Sequence, residues 1–251
     1  MKIREESISH YLDWMRKGQP FAFAGYSDAE WHCVLGTRAG EKTGLGQILC
    51  PRHGKRLLDV LRKRQSDEWF LFAIPKVLRT ISGFDGGEID WFLGREDIKI
   101  VGWERDVVTD DLAREADLYP LIRQVHDMRP VVLIGNEHLR VMRELCYWEH
   151  VPISSPNLHM EPDGIERAVE AALKHDAKVY LVSAGVSAAI IIDQLRDARS
   201  ASWLIDCGSM WDCFAKVGGQ REWRAKLYAS PKSWRLWMNY CLGGRPGRLW
   251  M

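Results

Sequence analysis

The amino-acid sequence predicts an α/β fold, Rossmann-like, with a mostly parallel sheet flanked by helices in a single domain. Two observations support this prediction. Short apolar runs that end in Gly, Ser or Pro alternate with helical patterns, which is typical of a parallel sheet wrapped by helices. The chain has 251 residues, 46% of them hydrophobic, which is enough to bury the core of one such domain.

Six apolar runs are predicted to be strands. They are residues 21–25, 69–74, 98–101, 131–135, 179–183 and 203–206. The stretches between them have helical patterns; Ile165, Val169 and Ala172, for example, lie on one face of a helix. No internal repeat or low-complexity segment interrupts this order, so we expect residues 1–213 to form one domain.

The sequence argues against a membrane-spanning protein and against a zinc site. The longest apolar runs, such as residues 131–134 and 188–192, are far shorter than the roughly 20 residues that a membrane-spanning helix needs. No apolar signal region follows the charged first residues. The six cysteines form no C-x-x-C pair and no zinc-like Cys/His spacing. We therefore expect a cytoplasmic protein whose thiols are reduced.

Residues 214–251 form a basic, Trp-rich extension that we expect to pack on the same domain. They contain eight basic residues, one acidic residue and four tryptophans. Three interpretations fit this composition: a solvated helical flank, a site for an anionic acceptor such as DNA, or a membrane-surface patch that presents lipid-linked acceptors. Repeated tryptophan favours stacking or an interface over simple solubility. No prediction of the oligomeric state follows from it.

Polar turns follow four of these apolar runs, and a fifth polar turn lies at residues 154–157. They comprise residues 26–30, 135–138, 154–157, 183–185 and 206–209. In open α/β sheets, ligands bind at the carboxyl ends of the strands. These turns are therefore the predicted site.

The turn at Ser27, Asp28, Ala29 and Glu30 has two interpretations. In the first it is a capping box, in which Ser27 caps the following helix and Glu30 reaches back to its amide. In the second it is a D-x-E metal site, because two carboxylates two residues apart in a turn can converge on a divalent cation that also binds a diphosphate. The two interpretations are compatible, because only the Glu30 carboxylate would be needed both for the helix cap and for the metal.

The segment around this turn, FAFAGYSDAEW at residues 21–31, resembles the opening motif of the GT-D-fold glycosyltransferases, roughly R-F-G-D-G-E-F. Further segments resemble the family in the same order. They are Gln47 with the helix from Arg56, FAIP at residues 72–75, VLIGNEHL at 132–139, VP and PN at 151–157, LVSAG at 181–185 and IDCG at 205–208. The resemblance spans about residues 20–212. It rests on the occurrence of all these segments in the family's order, and no single segment would be sufficient.

The resemblance implies a Rossmann-like domain, a nucleoside-diphosphate-sugar donor, with UDP as the expected nucleotide, and a divalent metal, commonly Mn²⁺, with Mg²⁺ as the alternative. Carried over by position, Asp28 and Glu30 become the metal and diphosphate residues, and Asp28 is expected to be catalytic. Tyr26 and Ser27 are expected to line the same donor site.

The sequence departs from the family pattern at four positions around the site. Gly25 replaces an arginine, Ser27 and Ala29 replace glycines, and Ser209 replaces a histidine. Both acids of the motif are kept.

Five other residues at strand ends are candidate donor-binding residues. Asn136 and His138 would bind the nucleotide, or Asn136 would cap the next helix. Ser183 and Gly185 open a helix whose free amides would hold a phosphate, or the glycine serves close packing. Asn157 lies in the segment that resembles the family's P-x-x-N-A region.

Asp206 ends the last strand and is the candidate general base for the acceptor hydroxyl, with Glu161 and Asp212 as alternatives. It would otherwise cap the next short helix.

The function expected from these residues is metal-dependent transfer of a sugar from a nucleoside diphosphate, UDP in the first instance, to an acceptor hydroxyl. The transferred sugar is a hexose or a pentose. The acceptor is a modified base in DNA or a glycan, lipid-linked or polymeric. The alternative is a nucleic-acid-binding α/β module without transferase activity.

Overall fold

The computed structural model describes residues 2–43, 46–75, 86–104, 119–146, 148–154, 156–208 and 210–213. These residues form an eight-stranded sheet in the order β1-β4-β3-β2-β8-β7-β5-β6, in which every pair of neighbours is parallel. The strands are Ile3–Arg4 (β1), Ala22–Gly25 (β2), Phe70–Ile74 (β3), Gly102–Glu104 (β4), Val131–Asn136 (β5), Glu149–Ile153 (β6), Val179–Ser183 (β7) and Trp203–Asp206 (β8). The predicted α/β class with a mostly parallel sheet is confirmed.

The central strands are apolar on both faces because helices cover both sides of the sheet. Every residue of β2, β3, β7 and β8 is buried. Alternate residues of a strand point to opposite faces. Ala22 and Ala24 of β2 therefore join one core, while Phe23 of β2 and Phe21 directly before it join the other. This two-sided burial explains why these strands read as continuous apolar runs.

Eight α-helices are described. They are Ile8–Arg16 (α1), Asp28–Leu35 (α2), Pro51–Arg64 (α3), Gly86–Arg95 (α4), Tyr119–Asp127 (α5), Val141–Cys146 (α6), Gly164–Leu173 (α7) and Ala188–Ala198 (α8). Residues of α2, α3, α4, α7 and α8 pack in one core, and residues of α1, α5 and α6 pack in the other. Within the described part of the chain, no helix has the length and apolar character that crossing a membrane requires.

The strand predicted at residues 98–101 is wrong by a few residues. Ile98 and Ile100 are buried, so their alternation with polar residues resembles that of a strand. Ladder pairing, however, begins only at Gly102, which lies opposite Ile3 on one side and Phe72 on the other. Pairing with neighbouring strands, and not burial alone, decides where a strand begins.

Two strands were missed because they lie at the edges of the sheet. β1 has two residues, which is too short for a pattern. β6 alternates exposed and buried residues and contains Pro152, which an edge strand tolerates. The sheet is therefore wider than the six predicted strands indicated.

Parallel pairing places the carboxyl ends of the strands at one edge of the sheet. β2 lies between β3 and β8, and β7 lies between β8 and β5. The turns after β2, β5, β7 and β8 consequently meet at this edge, as predicted. Ser155, Ser209 and the extension at residues 214–251 lie outside the described residues, so the predictions for them have no structural counterpart here.

Candidate functional site

The turn after β2 is a capping box. Glu30 Oε2 accepts hydrogen bonds from the Ser27 amide, at 2.9 Å, and from Ser27 Oγ, at 2.7 Å. The Glu30 side chain is buried, with only 4% of the residue exposed. Asp28, in the first turn of α2, is exposed. The motif is thus observed as a capping box, in which a single oxygen of Glu30 accepts both hydrogen bonds from Ser27.

Replacing Glu30 with alanine is expected to lower the free energy of unfolding by about 1 kcal/mol, since the helix loses its capping interaction. Chemical denaturation measures this change. Asp28→Ala is the matched control, because Asp28 accepts neither of the two bonds from Ser27 and its loss leaves the capping box intact. Equal destabilisation by the two substitutions would contradict the role of Glu30 as the cap.

The Tyr26 hydroxyl points away from the strand ends. It donates a hydrogen bond to the Leu57 carbonyl oxygen in α3 at 2.9 Å, and the residue is fully buried. Burial raises the pKa of Tyr26 well above its ordinary value, and the negative charges of Glu30 and Asp193 add to this. The Tyr26 side chain is therefore committed to the core and its amide donates to the Ala73 carbonyl, so the donor contact of Tyr26 stays a prediction.

Asp206 joins the end of β8 to the end of β2. Its Oδ2 accepts a hydrogen bond from the Gly25 amide at 3.1 Å, and its Oδ1 accepts one from the Gly208 amide at 2.8 Å. The residue is only 2% exposed. Each oxygen is thus directed at a backbone amide, and the carboxylate holds the two strand ends around the Asp28 turn.

Asn136 and His138 lie in the turn after β5. Asn136 Oδ1 accepts a hydrogen bond from the His138 amide at 3.3 Å and caps the 3-10 turn Glu137–Arg140. Both residues are partly buried. The capping interpretation of Asn136 is observed, and the position of both residues at the carboxyl end of β5 is as predicted.

Asn157 binds the loop between α2 and α3. Its Oδ1 accepts a hydrogen bond from the Ile48 amide at 2.8 Å, and its Nδ2 donates one to the Gly46 carbonyl at 3.1 Å. His159 Nε2 donates to the Ile48 carbonyl at 2.8 Å. Asn157 therefore acts on residues 46–48, and His159, which sequence reasoning missed, acts on the same segment.

Ser183 and Gly185 lie at the carboxyl end of β7, beneath Gln47 of that segment. Gly185 has a φ of +54°, and a Cβ there would lie 1.9 Å from Gln47 Nε2. The glycine is thus required for close packing, which is the second of its two predicted roles. Ser183 Oγ is buried.

A cleft of about 450 Å³ opens between the first turn of α3 and the segment before α7. His53 and His159 line it, with ring centroids 4.6 Å apart. Burial lowers the pKa of His53 to about 4, although its hydrogen bond to the Val186 carbonyl acts to raise it. Burial also lowers the pKa of His159. Arg56 forms an ion pair with Glu166 at 2.5 Å. The cleft therefore presents neutral imidazoles and paired charges.

The predicted metal residues do not form a preassembled cage. Across the described residues, no group of three or more His, Cys, Asp or Glu side chains is arranged to hold a metal ion. Asp28 supplies an exposed carboxylate, while Glu30 is buried and bonded to Ser27. This donor set fits a cation that takes one or two protein carboxylates and completes its coordination with phosphate oxygens and water, as Mg²⁺ commonly does.

Comparison with known proteins supports the fold. No family model and no curated protein matches the chain. Solved structures do match. One is a domain of unknown function 1792 described as having a distinct glycosyltransferase fold; it has 15% sequence identity, a TM-score of 0.60, and coverage of 91% of this chain and 82% of that one. Another is a glycosyltransferase of the same domain type from Streptococcus sanguinis, with 14% identity, a TM-score of 0.58, and coverage of 91% and 85%. The chain thus has the α/β fold of these structures.

Proposed function

We propose that this protein transfers a sugar from a nucleoside diphosphate to an acceptor hydroxyl. The observation that carries the proposal is the exposed Asp28 carboxylate at the start of α2, directly after a central strand. It lies at the carboxyl edge of a parallel sheet, where this class of fold binds ligands. The structures that share the fold and are called glycosyltransferases support the same assignment.

Asp28 is the residue proposed to hold the donor diphosphate, through a divalent cation, Mn²⁺ or Mg²⁺. When bound, the cation would neutralise the negative charge that develops on the leaving diphosphate. Glu30 orients the turn through Ser27 and is the second proposed metal ligand. The first-turn amides of α2 also favour an anion at this position.

For Asp206, the contacts favour a positioning role over proton abstraction. A general base must come within hydrogen-bond reach of the acceptor hydroxyl. Both Asp206 oxygens already accept backbone amides, from Gly25 and Gly208. A carboxylate oxygen can accept more than one hydrogen bond, so an acceptor hydroxyl would have to share the carboxylate with these amides if Asp206 were the base, as the sequence predicts.

The acceptor proposals, a modified base in DNA or a glycan, depend on the basic extension at residues 214–251. These residues lie outside the described part of the chain. Nucleotide binding therefore tests the donor part of the proposal. Its negative outcome would support a nucleic-acid-binding module without transferase activity.

UDP, GDP or TDP, or one of their sugar conjugates, is expected to raise the melting temperature, and Mn²⁺ is expected to increase this effect. A ligand at a hundredfold excess over its Kd stabilises the folded state by about 2.7 kcal/mol. Differential scanning fluorimetry with and without Mn²⁺ measures the shift, with Mn²⁺ alone as the control. No shift with any of these nucleotides, together with salt-dependent binding of DNA, would instead support the nucleic-acid-binding module.

A further inference from the structure

A buried hydroxyl and a nearby amide at the carboxyl edge of the sheet make no hydrogen bond to the residues that the structure describes. Ser183 ends β7 and is 8% exposed, and its Oγ is buried without a partner there. Gln47 is 7% exposed, and its side-chain amide makes no hydrogen bond there, although the amide is not enclosed in the way that Ser183 Oγ is. Buried polar groups are nearly always hydrogen-bonded, so the Ser183 hydroxyl requires an explanation.

Gln47 and Ser183 belong to the same part of the sheet edge. Gln47 Nε2 lies 1.9 Å from the position that a Cβ would take at Gly185, two residues after Ser183. Ser183 Cβ lies 3.4 Å from the corresponding position at Gly135, near the end of the neighbouring strand β5. Gly185 is partly exposed, so the region is open to solvent.

Gln47 is held in this position by contacts from Asn157 and His159, which lie far from it in the sequence. Asn157 bonds to both Gly46 and Ile48, the residues on either side of Gln47, and His159 bonds to Ile48. The Gln47 backbone is also bonded in both directions to Thr43. The amide is thus preorganised, which reduces the entropy that a bound ligand would otherwise have to overcome.

The chemistry of this pair of side chains suits an uncharged polar ligand. An amide offers one acceptor oxygen and two donor hydrogens, and a hydroxyl both donates and accepts. The cation and the helix amides proposed to hold the diphosphate lie at the Asp28 turn, which leaves the uncharged parts of a donor for Gln47 and Ser183. The nucleoside and the sugar of a donor carry the hydroxyl and ring polar groups that match them.

We propose that Gln47 and Ser183 bind the uncharged part of the nucleotide-sugar donor, and that Asn157 and His159 are positioning residues that act through Gln47. This inference rests on the proposed function, because it assigns a subsite to the same donor. It gives Asn157 a role different from direct contact with the ligand.

Gln47→Leu tests the inference through two measurements. Isothermal titration calorimetry with UDP, GDP, TDP and their glucose conjugates should show binding weakened about tenfold, as expected for one lost hydrogen bond. The ligand-free variant should melt close to the wild-type temperature, because the substitution removes no side-chain hydrogen bond within the described residues. Ser183→Ala should behave in the same way, with Gln65→Leu as the control.

Gln65 is a suitable control because both the nitrogen and the oxygen of its amide are hydrogen-bonded within the protein. It donates to the Arg62 carbonyl and accepts from the Lys99 amide. Gln65→Leu should therefore lower the melting temperature and leave nucleotide affinity unchanged.

Weaker binding of both the diphosphate and the sugar conjugate would assign Gln47 to the nucleoside, and weaker binding of the conjugate alone would assign it to the sugar. Unchanged affinity for every probe in Gln47→Leu, with the wild type binding, would overturn the subsite and leave the proposed function standing. A lower melting temperature of ligand-free Gln47→Leu would also overturn the subsite, since it would make the amide structural. Failure of the wild type to bind any probe would overturn both.

Discussion

Replacing Asp28 with asparagine is expected to reduce sugar transfer at least about a hundredfold and to abolish the effect of Mn²⁺ on nucleotide binding. Stabilisation of a leaving group by a metal is worth several kcal/mol, and about 1.4 kcal/mol corresponds to a tenfold change in rate. Asparagine keeps the shape of the side chain but loses the charge that binds the cation. Transfer from a radiolabelled sugar nucleotide and calorimetry with and without Mn²⁺ measure the two effects.

The fold should survive this substitution. Asp28 is exposed and accepts neither bond of the capping box, so its replacement costs only the interaction of one acid with the helix dipole, about 0.3–1 kcal/mol. Asp176→Asn is the matched control, since Asp176 is exposed, pairs with Arg199 at 3.5 Å and lies between α7 and β7, at the opposite edge of the sheet. Full activity of the Asp28 variant would remove this residue from the mechanism.

Replacing Gly54 with alanine is expected to destabilise the protein by about 2–3 kcal/mol, because α2 and α3 pack too closely at this point for a side chain. A Cβ at Gly54 would lie 1.8 Å from the Cys33 carbonyl oxygen, an atom of the helix backbone that cannot rotate away. The two helices would have to separate, and α2 carries Asp28 at its first turn. Urea denaturation measures the loss, and nucleotide affinity should fall with it.

Gly94→Ala should have the opposite effect. Gly94 is an exposed helical glycine in α4, and a Cβ there would meet no atom within 4 Å. Alanine should therefore stabilise the protein by about 0.5–1 kcal/mol through its better helix propensity. If Gly54→Ala were as harmless as Gly94→Ala, the close crossing of α2 and α3 would be wrong.

The Ser27–Glu30 turn is observed as a capping box and is also the donor site that we propose. The capping box satisfies the first turn of α2 and fixes the direction of the chain after β2. It leaves Asp28 exposed at the end of a central strand, with Asp206 holding the Gly25 amide directly before the turn.

The sequence by itself determined the features that depend on local patterns. Strands covered by helices on both faces must be apolar throughout, so β2, β3, β5, β7 and β8 were visible as runs, and the parallel sheet followed from their alternation with helices. The capping box was visible because Ser27 and Glu30 are three residues apart. The edge strands β1 and β6 were not, since partial exposure weakens the apolar pattern.

Only the tertiary structure decided which side chains meet at the strand ends. Asp206 bonds to an amide 181 residues away, and Asn157 bonds to the Ile48 amide 109 residues away. Such contacts depend on the order of the strands and on the path of the loop between α2 and α3, which no local pattern encodes. From the sequence, Asp206 is a candidate base and Asn157 a candidate ligand contact. The tertiary structure adds that Asp206 joins two strand ends and that Asn157 holds the segment that contains Gln47.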